Sequence, residues 1–144
     1  MRLFPQDAKV EALSRAPLFE GLAKKHLRQL ASASDDLEVG AGTVLCREGH
    51  MGSEFFVIVD GDAEVTKDGK RLATLGAGDF FGEIALVERT PRTATVTAKT
   101  PLRFFVLTSH GFWSLLDASP GVERKVLRTL ARRVYDTTEA TRAS

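Results

Sequence analysis

One cysteine, Cys46, is all the thiol chemistry that the 144 residues hold, so no disulfide can form within the chain and the fold must rest on its core. Histidine is nearly as scarce. His26, His50 and His110 are scattered and form no paired-histidine motif, which argues against a metal-dependent enzyme built on imidazole ligands. The same scarcity leaves no histidine and aspartate constellation with which a phosphodiesterase would activate water. No stretch approaches the ~20 apolar residues of a membrane-spanning helix, and the opening MRLFPQDAKV lacks the apolar run of a secretory signal. An excess of one charge is also missing. With 20 Lys and Arg against 19 Asp and Glu, the net charge is +1, and no large field advertises nucleic acid or an acidic substrate. The expectation is a soluble, cytoplasmic protein that is not an enzyme and holds no metal.

What is present fits one globular domain with its own core: 43% of the residues are hydrophobic and 27% charged. Cys46 lies in the strand-like run Thr43-Val44-Leu45-Cys46 and reads as a small buried hydrophobe rather than a reactive thiol. From Asp7 to Ser14 the spacing of Ala8, Val10 and Leu13 predicts a short helix, ended by Pro17. After an apolar connector, 18–22, helical spacing resumes from Leu22 to Ser34, with Leu22, Leu27 and Leu30 inward and Lys24, Lys25 and Arg28 outward. His26 reads as a partly exposed residue of this helix.

From Asp36 the period changes to two. Leu37-Glu38-Val39 and Thr43 to Cys46 are short strands, followed by a glycine-rich loop from Arg47 to Ser53. Phe55 to Val59 is a buried strand that turns at Asp60-Gly61 into Ala63 to Lys67, and Asp68-Gly69 turns again into Lys70 to Leu75. Ala94 to Ala98 and Leu102 to Leu107 complete the set, and Gly40, Gly42, Gly61, Gly69, Gly76 and Gly78 read as turn formers. Beyond Ser109 the period is helical again. Phe112, Trp113, Leu115 and Leu116 predict a short helix packed on the strands, and Ser119-Pro120 starts another, serine as N-cap and proline at the first position. Val122, Val126, Leu130 and Val134, joined by Leu127, mark its apolar stripe, and its Arg and Lys residues read as a solvated face. The fold class expected is mainly β with helical ends (α+β): a jelly roll flanked by N- and C-terminal helices.

The stretch Phe80 to Ala98, FFGEIALVERTPRTATVTA, carries the chemistry. Gly82 lets backbone approach a ligand, and Glu83-Ile84-Ala85-Leu86 opens a helical turn whose free N–H groups can face an anion. Arg92 adds a permanent planar charge that can grip two phosphate oxygens. Glu83 has the sign of a phosphate and only accepts hydrogen bonds, so its natural partner is a hydroxyl such as a ribose 2′-OH. Together these residues describe a nucleotide whose ribose and phosphate lie close together.

Phe81-Gly82-Glu83-Ile84-Ala85-Leu86 followed by Pro91-Arg92-Thr93-Ala94-Thr95-Val96 resembles the phosphate-binding cassette of the cyclic nucleotide-binding domain family, which includes kinase regulatory subunits, cyclic-nucleotide-gated channels and catabolite activator proteins. The resemblance implies a single domain over 7–138. Its parts would be an N-terminal helical element (1–34), a double-stranded β-helix jelly roll (35–108) with the cassette at 80–94, and C-terminal helices (109–138) acting as a lid. It gives Glu83 to the ribose 2′-hydroxyl and Arg92 to the cyclic phosphate. Phe81 and the amides around Gly82, Ile84, Ala85 and Ala94 would close the cradle, with a hydroxyl contact from Thr93. Arg133 or Tyr135 would lie where the lid meets the base, Arg133 by stacking its guanidinium on the purine. The implied ligand is cyclic AMP, or cyclic GMP, for which Thr93 speaks. Alternatives remain open: the ligand-binding piece of a larger transcription factor, channel or kinase, or a ligand-free jelly roll that binds proteins. The last helix could pair with a protein effector or with a second copy, and no DNA-binding motif follows it.

Overall fold

The computed structural model describes residues 6–16, 19–86, 90–128 and 131, with the backbone alone at 83 and 84. Two helices, α1 (Gln6–Ser14) and α2 (Lys24–Ala33), precede ten strands. The strands are β1 (Asp35–Val39), β2 (Val44–Cys46), β3 (Met51–Gly52), β4 (Glu54–Asp60), β5 (Ala63–Lys67), β6 (Lys70–Leu75), β7 (Phe80–Phe81), β8 (Thr90–Pro91), β9 (Thr95–Ala98) and β10 (Leu102–Thr108). A 3-10 turn, Glu83–Leu86, interrupts the β run. Helix α3 (Ser109–Ala118) and a further helix, α4 (120–128), close the described chain.

One antiparallel sheet has the order β1-β10-β4-β7, a second the order β2-β9-β5-β6, and β3 pairs with β8 as a two-residue ribbon. This is the jelly-roll architecture with helical ends that the strand spacing predicts. The middles of β4 (Phe55 to Val59) and β10 (Phe104 to Leu107) are apolar without a break because both of their faces are covered. Alternation along a strand sends Phe55, Val57, Phe105 and Leu107 to one side, where α1, α2 and α3 pack, and Phe56, Ile58, Phe104 and Val106 to the other, between the sheets. The helical side is knit by aromatic edges, with Phe19 5.8 Å from Phe55 and 6.1 Å from Phe112 between ring centres.

Four local expectations change. Ala8 is exposed, while Lys9 is buried and ion-paired to Asp36 at the edge of β1, so the inward face of α1 includes a charge that an apolar pattern cannot reveal. Helix α2 starts at Lys24, two residues later than its spacing predicts, because the chain turns at Gly21 (φ 81°) and Ala23 is still extended. The 47–53 loop contains β3, whose partner Thr90–Pro91 lies about forty residues away in sequence. In α4, Val122 and Val126 are buried as expected, but Leu127 is 52% exposed and stands outside the stripe. Leu130 and Val134 lie outside the described residues.

Helix ends follow their chemistry. The Thr108 hydroxyl caps α3 by accepting from the Gly111 amide at 3.2 Å. The Ser119 carbonyl accepts from Val122 and Glu123, and Pro120 takes the first position of α4, where a missing N–H costs nothing. No helix among the described residues is long and apolar enough to cross a membrane.

Candidate nucleotide-binding site

Pairing between strands builds the site. Cys46 on β2 lies opposite Val96 on β9, and Val96 lies opposite Val65 on β5, so a row of three apolar side chains crosses the second sheet. This row forms one wall of a cavity of about 450 Å³, the size of a small-ligand pocket. Phe80, Phe81, Gly82 and Ala85 line another side, and Thr90 to Ala94 complete the rim.

Arg92 is the cation of this cavity, its side chain only 11% exposed. The strand pairing that delivers it is short but well tied: its amide donates to the His50 carbonyl at 2.8 Å, and its carbonyl accepts from Gly49 at 2.8 Å. The guanidinium is then fixed on several sides. Nη2 donates to the Glu54 carbonyl at 3.0 Å, and the Glu54 carboxylate lies 3.5 Å from the same nitrogen. The Phe56 ring centre is 5.8 Å from Cζ, and Phe56 in turn stacks on Phe81 at 4.6 Å with the planes 11° apart.

Two glycines make room for the guanidinium. A Cβ on Gly52 would overlap Nε and Cζ and come within 2.6 Å of Nη2. A Cβ on Gly82 would sit 2.6 Å from Nη1 and 2.7 Å from the Glu54 carbonyl, and Gly82 has φ 82°, which side-chain-bearing residues rarely adopt. Among the described residues both polar contacts of the guanidinium fall on Nη2, which leaves Nε and Nη1 as donors for an anion. A planar cation at one side of an apolar cavity suits a ligand with an anionic group and an apolar, flat body.

Of the residues expected at the site, the structure brings Phe81, Gly82, Ala85, Arg92, Thr93 and Ala94 together around the cavity. Glu83 and Ile84 lie in the 3-10 turn beside it, and their side chains are outside the described residues, as are Arg133 and Tyr135. The turn is tighter than an α-helical one, and the Ala85 amide donates to the Gly82 carbonyl at 3.0 Å instead of standing free.

Sequence reasoning missed Gly52, Glu54 and Phe56, the residues that hold Arg92 in place. Their signal is a long-range pairing, Met51–Gly52 with Thr90–Pro91, which no local pattern encodes. Cys46 is buried, as its strand-like run predicts, and its place in the cavity wall comes from its cross-strand partner. Burial pushes its thiol up to about 11, an effect that the Arg92 charge opposes and the Glu54 charge reinforces. Among the described residues no group of three or more His, Cys, Asp or Glu side chains could hold a metal ion.

Comparison with known proteins gives this geometry its relatives. The family model described as "Cyclic nucleotide-binding domain" matches residues 36–119, more than half of the chain. A cAMP-dependent protein kinase regulatory subunit of Yarrowia lipolytica is 42% identical over 106 residues, 72% of this chain and 28% of the relative. A cyclic nucleotide-gated potassium channel of Rhizobium etli is 35% identical over 123 residues, 85% of this chain and 34% of the channel. The chain thus spans about a quarter to a third of the length of these curated relatives. Among solved structures, the N-terminal domain of a transcriptional regulator from Streptomyces coelicolor A3(2) superposes with a TM-score of 0.82 at 30% identity, covering 90% of this chain and 94% of that one. The regulatory domain of Toxoplasma gondii PKA, crystallised with cAMP, gives a TM-score of 0.70 at 30% identity over 76% of this chain and 44% of that one. By its matched sequence, its jelly roll and its buried arginine, the chain belongs to the cyclic nucleotide-binding domain family.

Proposed function

We propose that the chain is a sensor module that binds cyclic AMP and passes the binding event to its terminal helices. The observation that carries this reading is Arg92, buried at one side of an apolar cavity with two of its three nitrogens uncommitted among the described residues. The cyclic phosphate would sit against Nε and Nη1, and the purine against Cys46, Val65 and Val96. Glu83, on the turn beside Gly82, would accept from the ribose 2′-hydroxyl. Binding, not catalysis, is the role of such a site. The preference for cyclic AMP is supported by relatives named for that ligand. Thr93, at the cavity rim, favours cyclic GMP as a second ligand through its hydroxyl.

The boundaries that go with this reading are a helical element to residue 34, the jelly roll to 108 and a lid from 109 onward, completed by Arg133 over the base. The domain would serve a kinase, channel or transcription regulator, in keeping with how small a share of its curated relatives it spans. Pairing of the last helix with an effector or a second copy is the corresponding expectation. Calorimetric titration with cyclic AMP and then cyclic GMP tests the core of the reading. Saturable binding, tighter for cyclic AMP and lost in Arg92→Leu, is the expected result, and failure of the folded protein to bind either nucleotide would sink it.

A further inference from the structure

Glu54 stands in an unexpected relation to the cavity. Its carboxylate Oε1 accepts from the Ser53 amide at 3.2 Å and lies 3.5 Å from Arg92 Nη2, so the backbone itself holds a negative charge against the cation. The carboxylate does not line the cavity, and its side chain is 44% exposed. It therefore stands behind the guanidinium and touches no ligand. Arg92 has other supports for its position. The Glu54 main-chain carbonyl at 3.0 Å, the close walls at Gly52 and Gly82, and the Phe56 ring already confine the guanidinium. At 3.5 Å the carboxylate is beyond good hydrogen-bonding distance, and its contribution is mainly charge.

From this arrangement we infer that Glu54 is an affinity-setting residue: a built-in counter-charge that lowers the hold of Arg92 on an anionic ligand. The inference rests on the nucleotide reading above. In the empty site the carboxylate partly neutralises the guanidinium. When an anion arrives, the two negative charges share one cation and repel each other across it. Both effects act in one direction, so removing the charge while keeping the shape should tighten binding. Such a brake keeps the site responsive, because a ligand held too firmly reports on past concentrations.

The test is titration of cyclic AMP into the wild-type chain and into Glu54→Gln, Glu54→Ala and Glu54→Asp, with thermal midpoints recorded beside. Glu54→Gln keeps an oxygen for Ser53 and removes only the charge. It should bind about three- to tenfold more tightly. Glu54→Ala should move the same way, and Glu54→Asp, which keeps the charge, should stay near wild type. A residue needed only to orient Arg92 would give weaker binding in Glu54→Ala, so gain and loss separate the two roles. Unchanged or weaker binding by both neutral variants, while the wild-type chain binds normally, overturns this inference alone. Absence of binding in wild type and variants alike overturns the nucleotide reading and this inference with it.

Discussion

At the scale of single residues, the two glycines that flank Arg92 do different work, and their substitution should separate stability from binding. The atoms nearest a Cβ on Gly52 all belong to the Arg92 guanidinium and none to backbone, so Gly52→Ala should act chiefly by displacing that group and weaken cyclic AMP binding by about tenfold or more. Gly82 meets backbone as well, at the Glu54 carbonyl, and holds a left-handed φ. Gly82→Ala should therefore lose about 1–2 kcal/mol of stability in addition to binding. Urea unfolding beside titration reads both quantities, and a Gly52→Ala chain that binds as well as wild type would show the guanidinium to be less confined than its neighbours imply. Cys46 offers an independent check on the cavity wall. The rise of its pKa from 9.0 to about 11 lowers the thiolate fraction near pH 8 by about a hundredfold, so alkylation by iodoacetamide should be slow there and accelerate toward pH 11. A nucleotide in the cavity should slow it further. Rapid alkylation at pH 8 of the folded chain would contradict the burial of the thiol.

At the scale of elements, the contact between α1 and β1 is ionic where a hydrophobic one would be expected. Lys9 and Asp36 are buried together, with side chains 7% and 9% exposed. Removing one partner takes a buried counter-charge from the other, so Lys9→Met should cost roughly 3 kcal/mol in chemical denaturation. Lys9→Met combined with Asp36→Leu should recover much of that loss, and a single substitution without effect would mean that the pair is wetter than its burial indicates. This pair also marks where the sequence stops being readable. Periodicity placed α1, α2, α3 and seven of the ten strands, all but the two-residue β3, β7 and β8, because the apolar runs Phe55 to Val59 and Leu102 to Leu107 and the Asp60-Gly61 turn obey local rules. Lys9 is invisible to those rules, since its burial depends on an aspartate in another element. The same holds for Gly52 and Glu54. The ordered motif Phe81 to Val96 exposed Gly82 and Arg92 directly, but the residues that confine Arg92 arrive by a two-residue pairing across the chain. Local chemistry names cavity-lining groups, and tertiary chemistry supplies their supports.

At the scale of the whole molecule, the cavity and the terminal helices meet across one core. Phe55 and Phe80 touch edge to face at 5.7 Å, and Phe55 packs on Phe19, which packs on Phe112 of α3. If α3 and α4 move as a lid, amide shifts in 109–128 should change when saturating cyclic AMP is added, and far less in Arg92→Leu. Identical helix spectra with and without bound nucleotide would leave a binding domain without the proposed movement. One polar link joins α3 to the turn beside the cavity: Trp113 Nε1 donates to the Leu86 carbonyl at 2.7 Å, at the end of the 3-10 turn. Trp113 is the single tryptophan of the chain and is 37% exposed. Its indole emission depends on that hydrogen bond and on the water around it, so the protein carries an unlabelled optical probe between α3 and the turn beside the cavity. If the chain binds a nucleotide and α3 responds as proposed, mixing experiments read by that emission alone should time its arrival and departure.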